Sequence, residues 1–461
     1  MQYSSTRGGI ASVGFAEAVL MGLATDGGLL VPADVPRVDA ATLRAWSGLS
    51  FQDLALEVMT PFVGGEIPQE DLRALIARSY ATFTHPEVTP VVEVGDLRIL
   101  ELFHGPTAAF KDVALQFLGN LFEYLLARDG GELNICGATS GDTGSAAIYG
   151  VRGKARISIF MLHPKGRVSP IQERQMTSVL DDNVHNIAVR GSFDDAQRIV
   201  KDLFNDLPFK SEFSLGAVNS INWVRILAQM VYYVFAWARA GGGDPERHLS
   251  FAVPTGNFGD VFAGYLAKRM GVPIDRLIIA TNRNDILTRF VDTGVYAVGE
   301  AYQTLSPAMD IQIASNFERY LYFLHDGDSG KVRALLETLQ ATGRLEVDAA
   351  HHARARADFD AVAVSDAETL EQIRLTYAAS GYILCPHTAV GVKAAGSGDA
   401  ICLATAHPAK FSEAIRLAIG CDAPLPPALQ GLMDLPTRCL ELDAGAETLK
   451  AHIRDTLKDT R

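Results

Sequence analysis

A chain of 461 residues exceeds what a single hydrophobic core organises, so two or three domains are expected. With 48% apolar and 21% charged residues it reads as a soluble globular protein, and no apolar run reaches the ~20 residues that cross a bilayer. Acidic residues outnumber basic ones, 54 to 41, for a net charge of −13; without a basic tract this argues against nucleic-acid binding, so any anionic ligand must be met by a local site.

The opening "MQYSSTRGG" has no apolar signal-peptide core. The first 95 or so residues read as mostly helical, because "LRAWSGLSFQDLALEVMTPFV" and "QEDLRALIARSYATF" repeat apolar residues at three- and four-residue spacing. "THPEVTPVVEVG" interrupts that period with two prolines, and a boundary between residues 1–95 and 96–461 is set there. Beyond it strands alternate with helices. The strands are "LRILELF", "ELNICGA", "RISIFML", "HNIAVRG", "RHLSFAVP", "RLIIATN" and "AICLATA". Ser192 is expected to cap the helix "FDDAQRIVKDLF", and Gly271 to end "VFAGYLAKRMG". This alternation implies βαβ units and mainly parallel sheets, whose ligands bind beyond the carboxyl ends of the strands. Surface loops are expected at 324–331 and 396–400.

Cys136, Cys385, Cys402, Cys421 and Cys439 are scattered, odd in number and without a CxxC pair, so neither a disulfide framework nor a structural zinc site is expected. A reducing cytoplasm is the default. The pair His351–His352 lies in a polar helical stretch and reads as solvated; no metal site is expected.

Lys111 stands between the turn "HGPTAAF" and an apolar helix. Phe110, Val113, Ala114, Phe117, Leu118, Leu121, Phe122 and Leu125 recur at helical spacing, which sets Lys111 in the first turn beside a buried stripe. The positive helix N-terminus and apolar neighbours both disfavour the ammonium form, and a neutral amine is what imine chemistry needs. Asp112 is adjacent, but neighbouring helical residues point apart. An ordinary surface lysine would fit the same local pattern.

Two small-residue turns follow, each between a strand and a helix. "GATSGDTGSAA" (137–147) lets a ligand approach the backbone and offers unpaired N–H groups; a tight capped βα turn is the plainer reading. "PTGNFGD" (254–260) could wrap a phosphate with the backbone donors of Gly256, Asn257, Phe258 and Gly259. Neither has the dinucleotide glycine fingerprint nor the Gly-Lys-Ser/Thr of a nucleoside-triphosphate loop, so a dehydrogenase is a poor fit. In "LATAHPAKF", Thr405 ends a strand, where its hydroxyl could bond a neutral pyridine nitrogen, and His407 and Lys410 could meet an anion. A lysine with two anion-receptive turns is what an aldehyde cofactor with a phosphate handle requires, namely pyridoxal 5′-phosphate.

With "YSSTRGG", "FHGPTAAFKDVALQ", "GATSGDTGSAA", "NSINWVRILAQMVYY", "VPTGNFGDVFAGYLAKRMG" and "TAHPAKF" in order over nearly the whole length, the chain resembles the threonine synthases, in the longer branch found in many bacteria and yeast. The resemblance implies an α/β, fold type II pyridoxal-phosphate enzyme, tryptophan synthase β-like. Its parallel sheets are flanked by helices, a mostly helical domain spans 1–95, and 96–461 forms two α/β subdomains with the site between them. It implies that Lys111 is the Schiff-base lysine, that Gly256, Asn257, Phe258, Gly259 and Asp260 hold the cofactor phosphate, and that Thr405 contacts the pyridine nitrogen. Thr139, Ser140, Gly141, Asp142 and Thr143 resemble the loop that embraces the substrate carboxylate and flanks the ring hydroxyl. Many relatives in the wider fold carry Asn where Asp142 stands. A carboxylate beside a phenolate is repulsive unless a proton is shared, so Asp142 is expected to be turned away or coupled to the cofactor's titration.

The implied reaction takes O-phospho-L-homoserine and water to L-threonine and phosphate, with Lys111 carrying protons. Lys410, His407, Arg225 and Lys165 are candidates for the substrate phosphate, and Arg7 a weaker one. The implied partner is this small-molecule substrate, with neither nucleic acid nor membrane, in a monomer or homodimer. Two alternatives stay open: a phospho-lyase or dehydratase releasing a 2-oxo acid, and a non-catalytic ligand-binding homologue.

Overall fold

The computed structural model describes residues 1–396 and 399–458 of the chain. These divide into two compact units, 1–114 with 220–426 and 115–219 with the described residues from 427 on.

The first unit is built on a six-stranded sheet in the order Phe359–Ala363, Ile274–Thr281, Leu249–Pro254, Ala400–Ala404, Leu97–Glu101, Val91–Val94. Every pairing is parallel except the last, an antiparallel hairpin formed where the prolines break the helical period. Phe251 faces Leu277 on one side and Ile401 on the other, and Ile401 faces Arg98, which fixes the central register. The central strands are near-continuous apolar runs, as required when both faces are covered. One face carries the helices Asp366–Ser380, Pro386–Ala395 and Ser412–Ile419, where Ile373, Leu384 and Ile415 pack on Ile99, Ala252 and Cys402 of the sheet. The helix Trp223–Ala240 is buried from Trp223 through Ala238 on every side, so it is a core element rather than an amphipathic surface helix.

The stretch 1–95 contributes four helices, Phe15–Met21, Ala40–Trp46, Phe51–Val63 and Gln69–Tyr80. It also contributes the strand Tyr3–Ser5, antiparallel to Leu30–Pro32. Chain order matters most in the middle of the sheet. Ala400–Ala404, the last strand of this sheet in chain order, lies between Leu97–Glu101 and Leu249–Pro254. The segments leaving the carboxyl ends of these parallel strands, 102–111, 255–260 and 405–411, therefore emerge at one edge, at a reversal of strand order.

The second unit is an all-parallel sheet in the order Leu440–Asp443, Val184–Arg190, Ile157–Pro164, Leu133–Ala138, Leu215–Gly216. Ser192 caps the helix Phe193–Asn205 in a reciprocal capping box with Asp195, and Ala196, Ile199 and Leu203 line its buried stripe. They pack on Phe160, Leu162, Ile187 and Val189, together with Leu449, Ile453 and Leu457 of the helix Ala446–Lys458.

The structure departs from the sequence reading at two points. Of the loop expected at 324–331, only 325–328 lies outside helices, because Asp328 caps a new helix at Ser329–Thr342. Of the loop at 396–400, residues 397 and 398 lie outside the described residues. His351 and His352 are half-buried, not solvated: His351 Nδ1 meets Asp348 at 2.8 Å, its ring stacks 4.1 Å from His325, and His352 Nε2 contacts the Val291 carbonyl. The helices Ile286–Thr293 and Phe317–Leu324 pack against their helix, which local polarity does not reveal. Among the described residues no cluster of three or more His, Cys, Asp or Glu is arranged to hold a metal. Helix Gly259–Met270 ends at Gly271 with φ of 110°, as expected.

Candidate active site

Lys111 is the first residue of the helix Lys111–Asp129 and is buried, its Nζ 4.7 Å from the centre of the Phe110 ring. The segment before it forms a short antiparallel bridge to the segment after Ala400–Ala404. Phe110 N donates to the Thr405 carbonyl (2.8 Å), and His407 N donates to the Ala108 carbonyl (3.0 Å). Lys111 is thus fixed by backbone to a segment nearly three hundred residues away in sequence. Asp112 is fully buried and turned from Lys111 toward the turn, accepting from Thr107 N (2.8 Å) and Thr107 Oγ1 (2.7 Å). Burial pushes its carboxyl up to about 6, against the pull of Thr107 and of the Lys410 charge.

The 256–260 loop opens the helix Gly259–Met270. Phe258 takes a left-handed conformation (φ 64°) as its N-cap, and its ring is held among Phe317, Tyr320 and Phe359. Gly256 is required by close approach, since a Cβ there would lie 2.6 Å from the Ala308 carbonyl oxygen. The Asn257 carbonyl accepts from Asn316 N and Nδ2, both at 3.1 Å, and Ser315 Oγ donates to Asn257 Oδ1 at 3.4 Å. Ser315 Oγ also lies 3.0 Å from Ser220 Oγ.

Beneath the loop, Asp260 Oδ1 accepts from Tyr232 OH (2.5 Å) and Tyr233 OH (2.9 Å), while Oδ2 is buried without a hydrogen-bond partner. Burial pushes the Asp260 carboxyl up to about 6, opposed by its two tyrosines and by the charges of Lys111 and Arg225. Arg225 is itself buried, with Nε unpaired; burial lowers its guanidinium to about 10, still cationic at neutral pH.

Thr405 is buried, and among the described residues no hydrogen bond reaches its hydroxyl. His407 Nδ1 accepts from Ala409 N at 3.2 Å, and its ring sits edge-on to Phe103. Burial lowers the imidazole to about 4, so near pH 7 it is neutral, offering Nε2–H rather than a charge. Lys410 is 2% exposed and its Nζ donates to the Thr107 carbonyl at 2.7 Å. Arg7 forms a two-pronged pair with Glu318.

In the second unit, Thr139 Oγ1 accepts from Gly141 N (3.0 Å) and Gly144 N (2.9 Å), folding the 139–143 turn over the start of the helix Asp142–Val151. Ser140 is exposed and Thr143 half-buried. Gly141 has φ of 149°, and a Cβ there would meet the Gln172 carboxamide at 2.5 Å. Gln172 Nε2 donates to Asp142 Oδ1 at 2.7 Å. Lys165 is exposed and paired with Glu441 at 2.7 Å.

Three family models match the chain: the threonine synthase N terminus over residues 2–80, the pyridoxal-phosphate dependent enzymes over 84–407, and the threonine synthase C-terminal region over 388–453. The chain is 48% identical to threonine synthase of Pseudomonas aeruginosa over 96% of both chains, and 51% identical to threonine synthase of Saccharomyces cerevisiae over 90% of this chain and 89% of that one. The chain belongs to the threonine synthase family. The crystal structure of a pyridoxal-phosphate-bound threonine synthase from Brucella melitensis superposes with a TM-score of 0.96, at 47% identity and over 99% of both chains. As a member of the threonine synthase family, the chain is a fold type II, pyridoxal-phosphate-dependent lyase.

The residues present fit that cofactor. The loop whose Gly256 leaves no room for a side chain and the unengaged Thr405 hydroxyl supply a backbone cradle and a neutral hydrogen-bonding group in the same unit as Lys111. Sequence reasoning missed Ser220, Ser315, Asn316 and Gln172. Ser220 lies within the quoted "NSINWVR"; the others sit in stretches with no glycine turn or isolated charge to mark them.

Proposed function

We propose that this chain converts O-phospho-L-homoserine and water into L-threonine and inorganic phosphate. The observation that carries the reading is Lys111, buried at a helix start and tied by backbone to Thr405, in one unit with an anion-receptive loop and an unpaired buried arginine.

When bound, pyridoxal phosphate supplies the electron sink that lets protons leave the carbons near the substrate amine. Lys111 Nζ would be the covalent anchor for the cofactor and would carry the proton at the substrate α-carbon. The amides of 256–260, with the helix dipole behind them, hold the cofactor phosphate. Thr405 Oγ1 would meet the ring nitrogen with an uncharged group, which favours its unprotonated form. Thr139, Ser140, Gly141 and Thr143 serve the substrate carboxylate, and Asp142 flanks the ring hydroxyl. Among the candidate cations for the substrate phosphate, Arg225 is favoured by its unpaired Nε, with neutral His407 as a hydrogen-bond donor. Lys410 is engaged by the Thr107 carbonyl, and Lys165 and Arg7 by carboxylates.

The reading includes a small-molecule substrate, neither nucleic acid nor membrane, a cytoplasmic setting and a monomer or homodimer. Among the described residues no helix is long and apolar enough to cross a membrane.

The test is phosphate release from O-phosphohomoserine with the amino-acid product identified, for wild type and Lys111→Ala. Threonine and phosphate in equal amounts from wild type alone is the expected result. Phosphate with 2-oxobutyrate would replace the synthase reading with a phospho-lyase, and a colourless, inactive wild type would leave a non-catalytic homologue.

A further inference from the structure

Arg319, in the helix Phe317–Leu324, has no exposed surface and no carboxylate among its described hydrogen-bond partners. Its Nε and Nη2 donate to the Leu30 carbonyl (3.1 and 3.0 Å), Nη2 donates to the Ile221 carbonyl (2.6 Å), and Nη1 donates to Asn316 Oδ1 (2.5 Å). The adjacent acid is committed elsewhere: Glu318 accepts from Thr6 Oγ1 and is held from two directions by Arg7. A guanidinium whose hydrogen bonds all go to neutral acceptors is costly to bury, and the nearby Glu318 charge offsets only part of that cost.

The hydrogen bonds run toward the 256–260 loop. Asn316, polarised by Arg319 at its oxygen, donates through Nδ2 to the carbonyls of Ser220 (3.0 Å) and Asn257 (3.1 Å). The Asn257 carbonyl shares a peptide unit with Phe258 N–H, and the Ser220 carbonyl shares one with Ile221 N–H. A donor on the oxygen of a peptide strengthens its N–H as a donor, and bonds in series polarise one another.

We propose that Arg319, acting through Asn316, is a positioning residue that supplies fixed positive charge behind the 256–260 loop and sets the affinity of this site for phosphate monoester dianions. The inference rests on the reading that this loop holds a phosphate. In a chain with a net charge of −13, such a buried cation offsets the overall field locally.

The test uses the full-length chain stripped of cofactor and titrated with pyridoxal phosphate or with pyridoxal, which lacks the phosphate, followed by the chromophore. Thermal melting reports folding. Arg319→Lys keeps the charge, and its affinity for pyridoxal phosphate is expected to stay within about threefold of wild type, whereas Arg319→Gln is expected to weaken it by about tenfold or more, with pyridoxal changed by less than about twofold. A rise in KM for O-phosphohomoserine at saturating cofactor, with kcat held, would assign the effect to the substrate phosphate; a change in cofactor affinity assigns it to the cofactor phosphate. Equal weakening of both titrants, or failure of the Lys variant to the same extent as Gln, would overturn the proposal in favour of simple cross-linking.

If Arg319→Gln does not fold, Asn316→Asp against Asn316→Ala decides. The aspartate sets a carboxylate on Arg319 and cancels its charge, so it should bind pyridoxal phosphate more weakly than the alanine variant; equal binding sinks the idea. Should wild type not prefer pyridoxal phosphate over pyridoxal, the loop reading falls and this inference with it. Preference intact in wild type and in Arg319→Gln removes the inference alone.

Discussion

Lys410 Nζ donates to the Thr107 carbonyl at 2.7 Å, although the two residues are 303 positions apart. Thr107 in turn holds Asp112 through its amide and its hydroxyl. The turn that delivers Lys111 is therefore fastened by a buried cation on one side and a buried carboxylate on the other. Replacing Lys410 with Met would leave the Asp112 charge without its compensating cation. A loss of about 1–3 kcal/mol is expected, because the Thr107 carbonyl loses a charged donor and the Asp112 carboxylate loses the attraction of a nearby cation. Urea unfolding of the variant checks this, and an unchanged midpoint would remove Lys410 from the framework.

Asp112 also gives stability a pH dependence. Its carboxyl is raised from 3.8 to about 6 by burial. Below pH 3.8 it is protonated in both folded and unfolded chains and contributes no slope. Between these values the unfolded chain sheds the proton while the folded chain keeps it, so raising pH favours unfolding; above about 6 the penalty is complete. Asp260 acts in the same window for the same reason. Urea midpoints measured from pH 4 to 7 should show a steeper decline in wild type than in Asp112→Asn, and parallel profiles would contradict the assignment.

Gly256 separates binding from folding. An alanine methyl would lie 2.6 Å from the Ala308 carbonyl oxygen, a backbone atom that cannot swing aside, so the loop must shift. Gly256→Ala is expected to weaken pyridoxal-phosphate binding by about tenfold, or 1.4 kcal/mol. Cofactor titration checks it, and unaltered affinity would show that the loop tolerates the shift.

Thr139 anchors the corresponding turn of the second unit with one oxygen accepting from two backbone amides. Thr139→Val keeps the shape and deletes the acceptor, and a loss of about 1–2 kcal/mol is expected. Thr139→Ser should retain most of the stability. If both variants melt alike, the hydroxyl is not what holds the turn.

Asp142 accepts from Gln172, a bond that an asparagine can also accept. Asp142→Asn should therefore fold normally while shifting the cofactor spectrum or its pH dependence. Spectra that superpose with wild type across pH would dissociate Asp142 from the cofactor's titration.

Much of this protein was legible locally. Apolar runs marked the strands, Ser192 and Gly271 marked helix ends, and Lys111 stood out because a cation at a helix N-terminus beside an apolar stripe needs a reason. The sequence misjudged His351 and His352, because a polar helix gives no sign of the neighbouring helices that half-cover it. It set Lys410 beside Arg225 as candidates for the substrate phosphate and could not show that one donates to the Thr107 carbonyl while the other keeps an unpaired Nε.

By itself, then, the sequence determined which residue types stand at strand ends and helix starts, since period, turn chemistry and capping act over a few neighbouring residues. Only the tertiary structure decided which of those ends meet. Inserting Ala400–Ala404 between Leu97–Glu101 and Leu249–Pro254 is what joins Thr405 to Phe110. Asn316 and Arg319 acquire their positions behind the 256–260 loop in the same way, because long-range pairing is set by packing the whole sheet and its helices, and no local spacing records it.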